Sequence, residues 1–336
     1  MILLRKIALF ILFISSCHWA LSQNSELEEI VREGIAFHDL GEYNKAIECY
    51  FNALEIDSTS SLANYEIAYS MLASGNYHMA VEYSNKVIAK GEDHLMASFI
   101  CLGNALDMLG KPEHAISTYE RAIESFDHYL IHYNLALTCY NLGDQEKAYS
   151  SVLDAICNNP AHGSSHLVLS KIMESKGSRV RAMLPLYFFL LIEPNSERAA
   201  IEYDRLVGFI EQGVSQTSET DIQINISEDI DPDFGAAEFA ISSSRALHFS
   251  QENKDKSNLE LFAETNKSVF SVLGELKKDN TGFFWDFYVP FFYELIKKKH
   301  GKAYSYYISM SLGDEATLWM DSNEKKMNKF FDWVNN

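Results

Sequence analysis

The sequence predicts an all-α chain: five stacked helix-turn-helix units with a closing helix, then a separate, mainly helical C-terminal domain. Three observations predict it. Gly41, Gly75, Gly110, Gly143 and Gly177 recur at intervals of 34, 35, 33 and 34 residues. Each is followed five positions later by an alanine, at Ala46, Ala80, Ala115, Ala148 and Ala182. Apolar residues between these marks return at helical spacing. A period near 34 is the mark of a stacked array of helix pairs, in which each unit buries its apolar face only against its neighbours.

The first unit, about 27–60, shows the logic. Leu27, Ile30, Val31, Gly34, Ile35 and Phe37 make an apolar-periodic helix A up to about Leu40. Gly41 supplies the left-handed backbone that closes it, because glycine has no Cβ to clash. Tyr43, Ala46, Ile47, Tyr50, Phe51 and Leu54 then make helix B. The small residues Gly34 and Ala46 let the two helices approach; anything larger would overpack them. Further units follow at about 61–95, 96–128, 129–162 and 163–194. Pro112 stands where a helix start tolerates a missing N–H, and Pro160 and Pro194 end two of the B helices. A polar helix at 196–211, capped by Asn195 or Ser196 and ended by Gly213, has the make-up of a terminal cap.

The units resemble the tetratricopeptide repeat (TPR). A small residue occupies mid helix A (Gly34, Ala68, Gly103, Ala136, Ser170), followed by the turn glycine and the alanine. Four residues after the alanine come Tyr50, Ser84, Tyr119, Val152 and Leu186, and then Ala53, Val87, Ala122, Ala155 and Phe189. The second and fifth units depart most from the pattern. The resemblance implies a right-handed superhelix over 27–213 and a concave groove, lined by the A helices, that takes protein or peptide ligands. It places Tyr65, Tyr69, Asn104, Asp107, Tyr133, Asn134, Tyr140, Asn141, Lys171 and Glu174 in or beside that groove. Tyrosine offers rigid area with a polar tip, and asparagine can pair with a ligand backbone. The family's clamp for terminal carboxylates is not expected, because Val31, Ile35, Ala97 and Cys101 stand where its polar and basic side chains would be.

Residues 1–22 read as an export signal, with Arg5 and Lys6 before the apolar run Ile7–Ile14. Three parses are open: cleavage after Ser22, before Gln23, giving a periplasmic or secreted protein; lipoprotein processing with acylation of Cys17; or an uncleaved anchor. The run is too short to span a membrane. The formal charge of −19 is concentrated: residues 23–231 hold 13 Lys and Arg against 32 Asp and Glu, whereas 232–336 are nearly balanced, at 13 against 15. That field disfavours nucleic acid and favours encounter with a basic partner. Cys49, Cys101, Cys139 and Cys157 form no C-x-x-C pair and are read as buried free thiols.

Beyond 213 the helical grammar breaks. A linker is expected over 214–231, with a short strand where Ile222, Ile224 and Ile226 alternate with polar residues. Asp229, Asp231 and Asp233 lack the glycine and glutamate positions of a calcium loop, and Asp231-Pro232 reads as a helix start. About five helices follow, near 233–249, 258–279, 283–299, 302–312 and 315–334. Lys297–Lys299 with Gly301 read as a helix end. Between Phe283 and Trp333, 15 of 51 residues are aromatic, which makes a stripe at Phe284, Phe287, Tyr288, Phe291 and Phe292 a core feature first and a ligand platform second. His128, His132, His162 and His166 fall at i, i+4 spacing but lack an orienting carboxylate, so no metal is assigned. No phosphate loop, nucleophile elbow or cofactor motif occurs, and Glu238, His248 and Glu294 stand alone. The expected function is an exported, non-enzymatic scaffold for a protein or peptide. The alternatives are envelope carbohydrate binding or processing by the aromatic domain, through Trp285 or Trp319, and a structural envelope lipoprotein.

Overall fold

The computed structural model describes residues 25–218, 221–225 and 231–335. The expected export signal and Cys17 lie outside these residues, as do Asp229 and part of the expected linker. Helices α1 (25–39), α2 (Tyr43–Ile56), α3 (Ser61–Ala73), α4 (Tyr77–Lys90), α5 (Leu95–Met108), α6 (Pro112–Ile123), α7 (Tyr129–Leu142), α8 (Gln145–Asn158), α9 (Gly163–Ser175) and α10 (Arg179–Ile192) form five consecutive pairs. Helix α11 (Ala199–Glu211) follows them.

Each pair is joined by one device. The five turn glycines hold φ between +69° and +90°. Just past each glycine an N–H reaches back to helix A: Glu42 to the Phe37 carbonyl at 2.9 Å, Asn76 to Met71 at 2.7 Å, Lys111 to Leu106 at 3.0 Å, Asp144 to Cys139 at 2.9 Å and Ser178 to Met173 at 3.0 Å. These are six-to-one Schellman closures, which need the left-handed residue that glycine supplies without strain. The five alanines of helix B are fully buried.

The small residue of helix A has a specific counterpart. A Cβ placed on Gly34 would lie 2.4 Å from the Tyr50 ring, and one on Gly103 would lie 2.3 Å from the Tyr119 ring. Tyr50 and Tyr119 are both fully buried. In these two units the tyrosine of helix B therefore packs directly against the glycine of helix A.

The chain divides into two compact units, 1–148 and 149–336, and the division falls inside α8. It does not fall at 214–231, where composition put the boundary. The reason is α10, whose sequence is apolar on every side: Val180, Ala182, Met183, Leu184, Leu186, Tyr187, Phe189 and Leu190 are all buried. A helix apolar all round must be covered all round. One side packs on α9 and α11, and others meet α12 (Gly235–Leu247) and the turn at Phe284–Tyr288. The fifth helix pair and the C-terminal helices thus share one core.

Between them, β1 (Val214–Gln216) pairs antiparallel with β2 (Ile222–Ile224), Val214 opposite Ile224. The expected strand is there with its partner, and both pack on α12. Helix α12 begins at Gly235, after a turn, and not at Pro232. The Asp231 carboxylate accepts from the Ser178 hydroxyl at 2.7 Å and pairs with Arg181 at 2.9 Å, so its main role is to hold the fifth A–B turn. Helix α13 (Asn258–Leu276) starts on a capping box of Ser257 and Glu260.

Phe284–Tyr288 forms one wide π-helical turn, in which the Val289 N–H reaches the Phe284 carbonyl. Pro290 follows without an N–H to continue a regular ladder, and the wider turn buries Phe284, Trp285 and Tyr288 together. Helix α14 (Val289–Lys297) ends through Lys299, which takes the left-handed conformation at φ +62° in place of the expected glycine. Gly301 instead opens α15 (Gly301–Tyr307), where a Cβ would meet Ile296 at 2.8 Å. The expected last helix is two, α16 (Asp314–Ser322) and α17 (Glu324–Val334), broken at Asn323.

Candidate functional site

The A helices of the first two units and the turn before α5 bring four rings into a nearly parallel series. His38 of α1 stacks on Tyr69 of α3 at 4.7 Å and 17°. Tyr69 continues to Tyr65 at 6.0 Å and 11°, and Tyr65 to His94 at 5.4 Å and 8°. His94 precedes α5 in the left-handed conformation, φ +63°, which is uncommon for a residue with a Cβ. His38 is pinned by the Ser70 hydroxyl, 2.7 Å from its Nδ1, and burial holds its pKa below the ordinary value. Tyr69 is 44% exposed, so the series has a wet side.

Glu66 stands beside Tyr65 and is half-buried. Burial, with the charge of Asp39, pushes its carboxyl up to about 7. Among the described residues no cation or hydrogen-bond donor pairs with it. Next to it the Tyr50 hydroxyl is buried without a hydrogen bond of normal geometry, and burial and the Glu66 charge raise its pKa. The arrangement is an aromatic wall of two tyrosines and two imidazoles, with the Glu66 carboxyl beside it and Asp39 sharing its field.

Tyr65 and Tyr69 are the expected groove residues that the structure joins. Others are committed within the fold. Asn104 accepts from the Tyr119 hydroxyl at 2.6 Å, Asp107 accepts from Thr138 at 3.0 Å, and the Asn134 amide donates to the Leu130 carbonyl of its own helix. Tyr133 and Tyr140 are half-buried on α7 and Asn141 is exposed. Lys171 and Glu174 belong to the other compact unit, where Glu174 pairs with Arg205 at 2.7 Å. His38, Asp39, Glu66 and His94 were not singled out. The signal was there for two of them: His38 lies three residues before its turn glycine, as Asp107, Tyr140 and Glu174 do, and Glu66 lies nine before, as Asn134 does.

The histidines expected to idle have structural partners. Asp127 meets His132 at 2.9 Å, a carboxylate the sequence reading overlooked. His166 is buried with the Pro160 carbonyl 2.9 Å from Nε2 and the Tyr288 hydroxyl 2.6 Å from Nδ1. A carbonyl only accepts, so Nε2 bears the proton and Nδ1 accepts from Tyr288. Burial pulls the His166 pKa down to about 4, in keeping with this neutral form. Among the described residues no cluster of three His, Cys, Asp or Glu could hold a metal.

Glu238, His248 and Glu294 have separate partners: Arg179, then Arg245 and Thr265, then Lys297. Trp285 is 2% exposed and stacked on Phe234, so it cannot serve as a surface platform for carbohydrate. Trp319 is half-buried against Tyr306 at 4.2 Å. All four described cysteines are free, but Cys157 is exposed and Cys49 half-buried, against the expectation of burial; burial pushes the Cys101 and Cys139 thiols up to about 11. No helix among the described residues is long and apolar enough to cross a membrane.

A family model described as a TPR repeat matches residues 34–75, which run from the mid-helix glycine of α1 to the turn glycine after α3. Over these residues the chain carries a TPR repeat. A TPR repeat-containing protein of Methanocaldococcus jannaschii is 24% identical over 186 residues, 52% of this chain, and the chain spans 32% of that relative's length. Among solved structures, a thermophilic TPR protein of Thermus thermophilus is 20% identical, covering 55% of this chain and 98% of its own, with a TM-score of 0.47. PilF of Pseudomonas aeruginosa is 17% identical over 57% of this chain and 91% of its own, TM-score 0.47. YrrB, titled a TPR protein with an unusual peptide-binding site, is 21% identical over 55% of this chain and 98% of its own, TM-score 0.41.

Proposed function

We propose that this chain is an exported, non-enzymatic scaffold that holds a basic protein or peptide segment along the A-helix face of its first repeats. The observation that supports this reading is the ring series His38–Tyr69–Tyr65–His94, with the half-buried Glu66 beside it and the Tyr69 face open. A repeat array needs no such wet aromatic wall for its own packing, and rigid amphipathic rings are what interface anchors are made of. Export rests on the charged and apolar pattern of residues 1–22. The acidic excess of residues 23–231 steers a basic partner toward the face.

Crosslinking pull-down from the exported fraction tests this with the wild-type chain and a Tyr65→Ala, Tyr69→Ala double variant. These two rings line the face without anchoring the Gly34–Tyr50 or Gly103–Tyr119 contacts, so the fold should persist. A partner recovered by the wild type and lost by the variant, at an unchanged far-UV spectrum, is the expected result. A partner retained in full moves the binding surface elsewhere. Asn104 is unsuitable as a probe, because removing it strands the buried Tyr119 hydroxyl.

A further inference from the structure

We propose that Glu66 and Asp39, with Tyr69 and Tyr65 beside them, form the seat for one lysine or arginine side chain of the bound segment. This rests on the reading of the A-helix face as the binding surface and adds its ligand chemistry. Four observations converge on it. Glu66 is a half-buried carboxyl with no cation among the described residues. A second carboxylate, Asp39, adds to the rise in its pKa, so like charges share this field. The buried Tyr50 hydroxyl next to it has the Ser70 hydroxyl as a neighbour but no hydrogen bond of normal geometry, which is unusual for a buried polar group. Tyr69 offers exposed ring area over which an apolar side-chain stem can lie while its charged head reaches the carboxylates.

The rings themselves are stacked on one another, so the positive head is held by the carboxylates and the stem by the rings. A guanidinium presents a planar fork of donors to a carboxylate, and an ammonium a compact single charge. The same site tells a cation from a neutral chain of equal length, because filling it with an apolar group leaves two acidic groups covered and unpaired. Entry of the cation also favours the ionised form of Glu66, so binding near neutral pH releases a proton. The groups that face Glu66 or share its field are Asp39 and His38 from α1, Tyr50 from α2, Tyr65 and Tyr69 from its own helix, and Cys101 and His94 from the α5 side. None is a lysine or arginine, so Glu66 and Asp39 set the sign of the effect.

The test presents the full chain to an array of synthetic 12-residue peptides with neutral flanks and a central Lys, Arg, norleucine, Gln or Glu. Lys and Arg peptides are expected to bind about tenfold more tightly than norleucine peptides. Glu66→Gln should remove most of that preference, and calorimetry of the best Lys peptide in buffers of different ionisation heat should show proton release in wild type but not in Glu66→Gln. The thermal midpoint of Glu66→Gln at pH 8 should not fall, which separates lost recognition from lost folding. Norleucine peptides binding as well as Lys peptides, with binding lost on Tyr65→Ala, would overturn the cation seat and leave the binding face intact. No binding by any peptide would remove the face itself, and the seat with it.

Discussion

In residues 25–148 the side-chain hydrogen bonds between helices stay within about one repeat: 32 residues from His38 to Ser70, 31 from Thr138 to Asp107, 27 from Lys147 to Glu120 and 15 from Tyr119 to Asn104. In residues 149–335 they reach much farther. Tyr187 donates to Asn266, 79 residues on; Tyr304 donates to the Tyr187 carbonyl, 117 away; and Tyr288 donates to His166 across 122. The first region is a string of similar local contacts, each a ring on a glycine or an alanine in a groove. The second is one aromatic core that exists only when distant segments meet. Nearest-neighbour stability should therefore govern the array, and all-or-none loss should govern the C-terminal block.

The largest expected effect tests that contrast. Phe270 is fully buried, stacked on Phe292 at 4.6 Å and edge-on to Tyr187 at 5.0 Å. Phe270→Ala should cost about 3–5 kcal/mol, the range for emptying a buried ring site. Three of the four tryptophans, Trp285, Trp319 and Trp333, lie in the same block. Urea unfolding followed by tryptophan fluorescence should shift by the full amount, while the part of the far-UV signal that belongs to the array should not. Equal shifts by both probes would mean that the two regions unfold as one, and the contrast would fail.

Acid should act next most strongly, and on the C-terminal block. His166 and His248 are both pulled down to about 4 by burial. A base with a lowered folded pKa takes up more protons unfolded than folded. Stability is therefore full above about 6.5 and is lost as pH falls toward 4. For His166, which is fully buried, the loss is on the order of 3 kcal/mol. Denaturant midpoints at pH 7 and pH 4.5 should diverge, and His166→Gln should reduce the divergence. A pH-independent midpoint would show that the Pro160 and Tyr288 bonds do not hold the ring neutral.

In the array, Gly103→Ala sets a methyl 2.3 Å from the Tyr119 ring and should cost about 1–3 kcal/mol. The second repeat suggests the remedy, since it pairs Ala68 with Ser84 where the first and third pair glycine with tyrosine. Tyr119→Ser alone opens a cavity and strands Asn104, yet in the double variant it should relieve the overpacking. A double-mutant cycle should give a coupling of about 1–2 kcal/mol of opposite sign to the single costs. Additive costs would show that the ring does not rest on that glycine.

These contrasts explain what was legible. The array could be read from composition because every repeat solves its packing within about 34 residues, so glycine, alanine and aromatic positions recur in register. The C-terminal core could not be placed, because nothing within the sequence of α13 or α14 says that Phe270 and Phe292 meet Tyr187. One signal that the fifth pair packs with the C-terminal helices was present: Val180–Ile192 has no polar face, which requires cover beyond a neighbouring repeat. On the proposed binding face, the tyrosines were expected from repeat register. Glu66 and His38 shared that register but were passed over, since a charged residue on a helix is by default a solvated one. Only burial, which the sequence does not print, sets Glu66 apart.

The smallest effect bears on that burial. A carboxyl whose folded pKa stands near 7, against 4.5 ordinarily, binds its proton more tightly folded than unfolded. Its contribution is fully present below about 4.5 and is lost as pH rises through 7. Glu66→Gln should thus leave the array unchanged at pH 4 and stabilise it at pH 8 by on the order of 1 kcal/mol, after discounting for solvent screening at a half-exposed site. Thermal midpoints at the two pH values check this. A residue that burdens the free fold and whose replacement weakens capture of a lysine peptide is kept for binding, because packing alone would select against it. An unchanged midpoint at pH 8 would mean that Glu66 sits in water like any other helix glutamate, and the contrast between a wet binding wall and the dry aromatic core would lose its sharpest residue.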